Sequence, residues 1–330
     1  MVAMRIGLTA FRLGRLTDGD YGVIPLVIDF ADLWPQTTVI QSLALKSYTS
    51  ACDGLIAACI ARPTPYRFPL GTTSRAYNRA MATIKKTLLL TGASRGIGHA
   101  TVKHFHAAEW RVITVSRQPF DKICPWPQGQ KDHIQADLND IEHYDSTIAQ
   151  IRAKVAEPES GGKLFALVNN AGISPKLPGG KRMGVLATDL ATWQNVFNVN
   201  LFATALLARG LFDELKAAQG SVVNVTSIAG SKVHPFAGVA YATSKAALAS
   251  LTREMAHDFG PHGVRCNAIA PGEIDTSILS PGTAELVEKE IPMKRLGTPS
   301  EVAQLIYFLC TSPSSYINGA EIHVNGGEHV

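Results

Sequence analysis

The sequence predicts an α/β protein with one doubly wound domain over residues 84–330, built on a parallel sheet of about seven strands. Two observations predict this fold class. Short β-branched or apolar runs alternate with amphipathic stretches from residue 84 onward, as in a parallel sheet covered by helices. A glycine-rich segment, TGASRGIG at residues 91–98, directly follows the first of these runs. We find no linker inside residues 84–330 and therefore predict one domain there.

Seven segments have the length and composition of strands. In chain order they are TLLLTG from Thr87, RVITVS from Arg111, DHIQAD from Asp132, LFALVN from Leu164, SVVNVTS from Ser221, RCNAIA from Arg265 and AEIHVN from Ala320. Between the first two, Ile97, Thr101, Phe105 and Ala108 recur at helical spacing. That spacing predicts a helix that packs on the sheet.

Residues 1–80 differ in kind from the rest of the chain. They contain no glutamate, one lysine (Lys46) and no sustained period of two or 3.6. Met81 follows them, so we expect the domain to begin there and the preceding region to be a loosely ordered extension or a start-site artefact. Asp18 and Asp20 argue against a transit peptide, which is poor in acidic residues.

Charge and hydropathy limit the class of protein. The formal net charge is +4, 18% of residues are charged, and residues beyond 80 are nearly neutral, without the basic stripe of a nucleic-acid-binding protein. No apolar run reaches the length of a membrane span, and the closest candidate, which starts at Val39, contains Lys46 and Asp53. We therefore expect neither a nucleic-acid partner nor a membrane.

The cysteines lack the spacing of a metal site or a CxxC pair. They are Cys52, Cys59, Cys124, Cys266 and Cys310. We expect buried thiols in a reducing compartment, no bound metal and a cytoplasmic protein.

The glycine-rich segment predicts a dinucleotide site. Gly92, Gly96 and Gly98 allow the backbone to turn tightly and to approach a pyrophosphate at the N-terminus of the following helix. An NAD site usually has an acidic residue at the end of the second strand, where this chain has Ser116 and Arg117. Since Arg117, helped by Arg95, attracts a 2′-phosphate, we predict NADP(H) over NAD(H).

The segment YATSK places Tyr241 and Lys245 four residues apart, on one face of a predicted helix. Such pairs are also common on helix surfaces. A phenol titrates near 10, so acid–base work near pH 7 requires a shift of about three units, or roughly 4 kcal/mol. A cation about 4 Å away supplies roughly 1 kcal/mol in bulk water and about 4 kcal/mol at an effective dielectric near 20. The pair therefore requires partial burial, which the neighbouring alanines of YATSKAALAS permit.

Other polar residues follow the predicted strands. Ser227 ends SVVNVTS, Asn169 to Gly172 follow LFALVN, and Asn200 lies in a predicted helical stretch. Ligands of open α/β sheets bind outside the carboxyl ends of the strands, so these residues converge with Tyr241.

Residues 84–330 resemble the classical short-chain dehydrogenase/reductases. Six ordered motifs give the resemblance: TGASRGIG, NNAG from Asn169, the helix residue Asn200, Ser227, YATSK and the PG pair at Pro271. The tail from Arg295 is similar to 3-oxoacyl-acyl-carrier-protein reductases. The resemblance implies a Rossmann-like domain and a homotetramer or homodimer.

The resemblance also implies the roles of individual residues. Tyr241 is the acid/base, Ser227 orients the carbonyl, Lys245 binds the nicotinamide ribose and lowers the pKa of Tyr241, and Asn200 holds a water in a proton relay. The predicted cofactor-binding residues are Gly92, Ser94, Arg95, Gly96, Ile97, Gly98, Arg117, Asp137, Leu138, Asn170, Ala171, Gly172, Tyr241, Lys245, Pro271, Gly272, Ile274 and Thr276.

The expected function is NADPH-dependent reduction of a carbonyl to a secondary alcohol, on a 3-oxoacyl thioester or a similar ketone. Two alternatives stay open: an alcohol-oxidising dehydrogenase and a non-catalytic NADP(H)-binding regulator. The segment ISPKLPGGKRMG from Ile173 is either a substrate-facing loop or a solvated surface loop. We expect the segment from Glu273 to Pro292 to form the lid, because it follows the cofactor-contacting PG pair.

Overall fold

A computed structural model describes residues 84–120, 129–276 and 280–330. Within these ranges the chain forms one seven-stranded parallel sheet with strand order β3-β2-β1-β4-β5-β6-β7. The strands are β1 (Thr87–Thr91), β2 (Arg111–Ser116), β3 (His133–Gln135), β4 (Ala166–Asn169), β5 (Ser221–Val225), β6 (Arg265–Pro271) and β7 (Glu321–Val324). The predicted fold class is confirmed.

Helices cover both faces of the sheet. In the described part of the chain the α-helices are α1 (Gly96–Ala107), α2 (Tyr144–Val155), α3 (Leu190–Phe197), α4 (Ala203–Gly210), α5 (Phe212–Ala218), α6 (Val239–Phe259), α7 (Thr283–Glu290) and α8 (Pro299–Leu309). A π-helical segment, Asn198–Phe202, joins α3 to α4.

Alternating side chains of β1 show why the sheet is buried on both faces. Leu89 belongs to one apolar cluster, with residues of α2, α4 and α6, whereas Leu88 and Leu90 belong to a second, with residues of α1 and α8. Successive strand residues point to opposite faces, so a continuous apolar run is what a sheet with two covered faces requires.

The strand order places the cleft. The chain proceeds outward from β1 to β2 and β3, then returns to pair β4 with the other edge of β1. A crevice opens at such a reversal, outside the carboxyl ends of the strands. The turn after β1, the NNAG segment after β4, Ser227 after β5 and the PG pair at the end of β6 all lie at this edge.

Each strand matches its predicted segment to within two residues at either end, and β1, β3, β4, β5 and β7 are shorter than predicted. Strand β3 pairs with β2 over His133–Gln135, and beside it the Asp132 carboxylate binds the buried Arg111 guanidinium at 2.6 Å. Strand β4 begins at Ala166 rather than at Leu164.

Several predictions concern residues outside the described ranges. These are the character of residues 1–80 and the burial of Cys52, Cys59 and Cys124. Cys266 and Cys310 are buried free thiols as predicted, and burial raises the pKa of each to about 12, which keeps them protonated. None of the described helices is long and apolar enough to cross a membrane.

Candidate active site

A cleft of about 930 Å³ opens at the carboxyl edge of the sheet. Most of the residues that the sequence predicts for the site line it. They are Gly92, Ser94, Arg95, Gly96, Ile97, Arg117, Asp137, Leu138, Asn170, Ala171, Gly172, Ser227, Tyr241, Lys245, Pro271, Gly272, Ile274 and Thr276. The other two predicted residues, Gly98 and Asn200, lie behind the wall of the cleft.

The glycine turn is packed against its surroundings. Gly92 has a φ of +71°, and a Cβ on Gly98 would lie 2.1 Å from the Gly92 carbonyl oxygen. Helix α1 begins at Gly96 without a capping side chain and without an acidic residue in its first turn. The amide groups at this helix N-terminus therefore suit an anionic ligand such as a pyrophosphate.

Asn170 fixes the glycine turn to the next strand. Its side-chain amide donates to the backbone oxygens of Thr91 (3.1 Å) and Gly92 (2.9 Å). The Thr91 hydroxyl accepts in return from the backbone nitrogens of Asn170 and Ala171, both at 3.1 Å. The NNAG segment therefore holds the glycine turn in place and also forms part of the cleft wall.

One part of the cleft lies beside the carboxyl end of β2. Ser116, Arg117 and Gln118 line it, and this segment contains no carboxylate. The Arg117 side chain is exposed, and the Ser116 hydroxyl donates to the Gln118 backbone oxygen at 3.0 Å. This end of the cleft is compatible with a negatively charged group on a bound ligand.

Tyr241 and Lys245 lie in the first two turns of α6 and face the cleft. The Lys245 ammonium is buried, lies 5.7 Å from the centre of the Tyr241 ring, and donates to the Val225 backbone oxygen at 2.7 Å. Burial lowers the pKa of Lys245 to about 8.

Helix α6 packs closely against Gly230, because a glycine has no side chain to separate the two backbones. A Cβ on Gly230 would lie 2.9 Å from the Ala246 backbone nitrogen, so α6 touches backbone at that point. This agrees with the role predicted for the small residues of YATSKAALAS.

Burial and two neighbouring side chains act on the pKa of Tyr241. Burial raises the pKa of the phenol, and the charge of Glu273 raises it further, whereas a hydrogen bond with the Ser227 side chain lowers it. Among the described residues, burial outweighs the hydrogen bond with Ser227. The lowering of the Tyr241 pKa that the resemblance implies for Lys245 remains a prediction, and in this structure the ammonium donates to the Val225 carbonyl.

Ser227 lies two residues after the end of β5 and caps a short 3-10 turn, Ile228–Gly230. Its hydroxyl accepts from the Ala229 backbone nitrogen at 3.2 Å. This contact and the one with Tyr241 fix the hydroxyl at the mouth of the strand.

Asn200 lies in the π-helical segment rather than in a regular α-helix, and its side chain is buried. Its oxygen accepts from the Ile173 nitrogen at 2.8 Å, and its amide nitrogen donates to the Ile173 oxygen and to the Ser244 hydroxyl. The side chain thus links the loop after β4 to α6. The role in a proton relay remains a prediction.

The two loops that follow β4 and β6 meet across the cleft. Lys176 donates to the Ser280 hydroxyl, and a Cβ on Gly180 would lie 3.3 Å from the Pro281 side chain. Ile173 to Lys176 line the cleft, so this part of the loop faces a ligand. The predicted lid segment contributes Glu273, Ile274, Thr276 and Ser280 to the wall, while Ser277 to Leu279 lie outside the described residues.

Three charged or titratable residues of the cleft are absent from the predicted site residues: Lys176, His234 and Glu273. His234 belongs to no motif, and no signal in the sequence identifies it. Glu273 directly follows the PG pair, so its position next to a cofactor-contacting turn was a usable signal.

The comparisons agree with this geometry. A family model described as Enoyl-(Acyl carrier protein) reductase matches residues 92–329. A solved structure of an oxidoreductase of the short-chain dehydrogenase/reductase family from Brucella ovis, in complex with a partially ordered NAD, is 61% identical. It superposes with a TM-score of 0.63 and covers 73% of this chain and 100% of that one. The chain belongs to the short-chain dehydrogenase/reductase family of oxidoreductases.

Two relatives define its place in that family. Protein FixR from Bradyrhizobium diazoefficiens is 60% identical over 246 residues, which are 74% of this chain and 87% of that protein. The 3-oxoacyl-acyl-carrier-protein reductase FabG from Aquifex aeolicus is 34% identical over 258 residues, 73% of this chain and 96% of that enzyme. The chain is thus related to 3-oxoacyl-acyl-carrier-protein reductases.

We expect Gly98→Ala to weaken the binding of NADH and NADPH by about tenfold or more, a cost of roughly 1.4 kcal/mol. The new Cβ would overlap the Gly92 carbonyl oxygen, so the turn must move. Fluorescence titration with each dinucleotide measures the effect, and circular dichroism verifies the fold. Gly184→Ala is the matched control, since its Cβ would meet nothing closer than 3.5 Å. Wild-type affinity in the Gly98 variant would contradict this prediction.

Proposed function

We propose that the protein is an NADPH-dependent carbonyl reductase that converts a ketone to a secondary alcohol. One observation carries the proposal: Tyr241, Ser227 and Lys245 line the same cleft as the glycine turn. A proton donor, a hydroxyl that orients a carbonyl and a dinucleotide-compatible turn are thus available to one substrate.

The residues of the cleft fit a nicotinamide dinucleotide. The uncapped N-terminus of α1 and the tight turn at Gly92 suit the pyrophosphate, and Asp137 and Leu138 form a wall next to them. Lys245 is available to the ribose near Tyr241. When bound, the dinucleotide supplies the hydride for the reduction.

Three side chains of the cleft supply the proton and stabilise the charge that its transfer leaves. Because the pKa of Tyr241 is raised, its phenol is protonated at neutral pH and can donate a proton to the carbonyl oxygen. The Ser227 hydroxyl, which is held by the Ala229 nitrogen, can donate a hydrogen bond to the same oxygen and orient the carbonyl. The Lys245 ammonium favours the phenolate that remains after the transfer, since opposite charges attract strongly in a partly buried site.

We propose a 3-oxoacyl thioester or a similar ketone as the substrate. The similarity to the FabG enzyme supports the thioester. The cofactor proposal rests on Arg117 and Arg95, which line the cleft where an NAD enzyme usually has an acid. Use of NAD(H) is the second candidate, favoured by the NAD in the similar Brucella ovis structure.

Other parts of the proposal rest on the family. We propose a homotetramer or homodimer in the cytoplasm. Oxidation of an alcohol uses the same residues in reverse, with Tyr241 as the base. A cofactor-binding regulator without turnover is the alternative from another class, and retention of Ser227, Tyr241 and Lys245 disfavours it.

Tyr241→Phe tests the enzymatic proposal. We expect kcat/KM for ketone reduction to fall by about 100- to 10,000-fold, because the proton donor is lost. Binding of NADPH should persist. A panel of ketones and alcohols, assayed by absorbance of the reduced cofactor, measures the loss, with the exposed Tyr316→Phe as control. Binding of the dinucleotide without any Tyr241-dependent turnover would favour the regulator.

The pKa of Lys245 predicts how kcat/KM for reduction depends on pH. Its lowered pKa means that the ammonium predominates below about 8 and is lost above that pH. The raised pKa of Tyr241 keeps the phenol protonated over this range. We therefore expect kcat/KM for reduction to decline as the pH rises through about 8.

The variant Lys245→Arg should extend the plateau to higher pH, because a guanidinium stays charged. Lys289→Met, on the exposed face of α7, should leave the profile unchanged. A decline at the same pH in the arginine variant would refute the assignment. An NMR titration of the labelled lysine Nζ in wild-type protein tests it independently.

The NADP(H) preference depends on Arg117. We expect Arg117→Asp to reduce the ratio of kcat/KM for NADPH to that for NADH by about 10- to 100-fold, the effect of losing a hydrogen bond to a charged group. Arg253→Asp, an exposed position on α6, makes the same change in charge away from the cleft. A wild-type enzyme that is equally efficient with both cofactors would rule out the preference.

A further inference from the structure

A buried group of titratable side chains lies beside the cleft and has no part in the mechanism above. Its members are His234, Glu273 and Glu328, with Lys232 at the protein surface. His234 follows the 3-10 turn after β5, Glu273 follows the PG pair, and Glu328 lies near the C-terminus. Three separate loops thus bring an imidazole and two carboxylates together.

The neutral His234 imidazole has one N–H group that can donate a hydrogen bond. Its Nδ1 accepts from the Phe236 backbone nitrogen at 3.3 Å, which assigns the proton of the neutral ring to Nε2. This Nε2 lies 3.0 Å from Glu273 Oε1 and 3.6 Å from Glu328 Oε1. Neither contact has hydrogen-bond geometry, so among the described residues the buried Nε2 has no hydrogen-bond partner.

The two carboxylates have different surroundings. The Glu328 side chain is fully buried, both of its oxygens lack a hydrogen-bond partner among the described residues, and burial raises its pKa. Glu328 packs against the PG pair: a Cβ on Gly272 would lie 2.6 Å from its Oε2. Glu273, with 14% of its side chain exposed, lines the cleft together with His234.

The pair lines the same cleft as Tyr241. Glu273 acts electrostatically on the phenol, so its carboxylate is close to the reacting group. The arginines that fit a cofactor phosphate, Arg95 and Arg117, belong to the glycine turn and the end of β2 instead. The His234 and Glu273 groups are therefore available to the substrate.

The hydrogen-bonding groups of His234 and Glu273 match one class of ligand group. An N–H donor without a partner and a carboxylate acceptor 3.0 Å from it match a group that both accepts and donates. A hydroxyl does both. A ligand ammonium cannot accept the hydrogen bond that the His234 N–H group offers. A ligand carboxylate has no proton to donate to Glu273, and the negative charge of Glu273 repels it. A buried polar group left without a partner is costly, which makes a substrate lacking the hydroxyl a poor one.

We propose that His234 and Glu273 bind a hydroxyl group that the substrate carries close to its reacting carbonyl. This inference rests on the proposed carbonyl reductase function and narrows its substrate to hydroxyketones. The His234 Nε2–H donates to the hydroxyl oxygen, and Glu273 accepts the hydroxyl proton. The Phe236 backbone nitrogen, which donates to Nδ1, holds the imidazole in position.

One cation of the cleft favours a different ligand. Lys176 lines the wall, where it binds Ser280, and would attract an anionic substrate. The experiment therefore includes charged analogues of the hydroxyketone.

The test compares kcat/KM with NADPH for four-carbon ketones. The parent is 2-butanone, the hydroxyketones are 3-hydroxy-2-butanone and 4-hydroxy-2-butanone, and the charged analogues are acetoacetate and 4-amino-2-butanone. We expect at least one hydroxyketone to exceed both 2-butanone and the charged analogues by about 10- to 100-fold, the effect of hydrogen bonds to a charged group. In Glu273→Gln the ratio of hydroxyketone to 2-butanone should fall about tenfold. Because the ratio is taken within one variant, changes at Tyr241 cancel.

Glu285→Gln is the matched control, since Glu285 binds Lys289 at 2.6 Å on the surface and does not line the cleft. It should keep the wild-type ratio. Equal efficiency of wild type with hydroxyketones and 2-butanone overturns the inference, and so does a ratio that Glu273→Gln leaves unchanged. A preference for acetoacetate overturns it in favour of Lys176. Reduction of none of these ketones, with NADPH bound, overturns the inference, and the broader panel of ketones and alcohols used for Tyr241→Phe then decides whether the carbonyl reductase function stands.

Discussion

The cleft depends on the burial of one ammonium group, that of Lys245. Its Nζ is held by the Val225 carbonyl at the end of β5. A glycine makes this possible: a Cβ on Gly230 would lie 2.9 Å from the Ala246 backbone nitrogen, so α6 packs against backbone there. Burial lowers the pKa of this lysine to about 8, so the site holds a cation near the limit at which it stays charged. The position of Tyr241, one helical turn earlier, follows from the same packing.

Charge is distributed unevenly along the cleft. Arg95, Arg117 and the N-terminus of α1 make one end favourable for phosphates. Elsewhere in the cleft, Glu273 lies against His234 and near Tyr241. The dinucleotide phosphates and the substrate hydroxyl that we propose therefore have different side chains to bind.

The family motifs have mechanical as well as chemical roles. Asn170 was predicted as a cofactor contact, and its amide also holds the turn at Thr91 and Gly92. Asn200 joins the loop at Ile173 to Ser244 of α6 through a π-helical segment. These side chains replace backbone hydrogen bonds that irregular loops lack, and buried polar groups require such partners. The cleft wall is thereby fixed to the sheet on both sides of Tyr241.

The sequence by itself determined the parallel sheet, the order of its strands along the chain and most of the cleft wall. Apolar runs, glycines and the YATSK spacing are local patterns, and each follows from the geometry of one element. The tertiary structure alone decided the raised pKa of Tyr241, the buried ion pair of Arg111 with Asp132 and the convergence of His234, Glu273 and Glu328. These features depend on burial and on distances between side chains far apart in the chain, and no periodicity of the sequence encodes such distances.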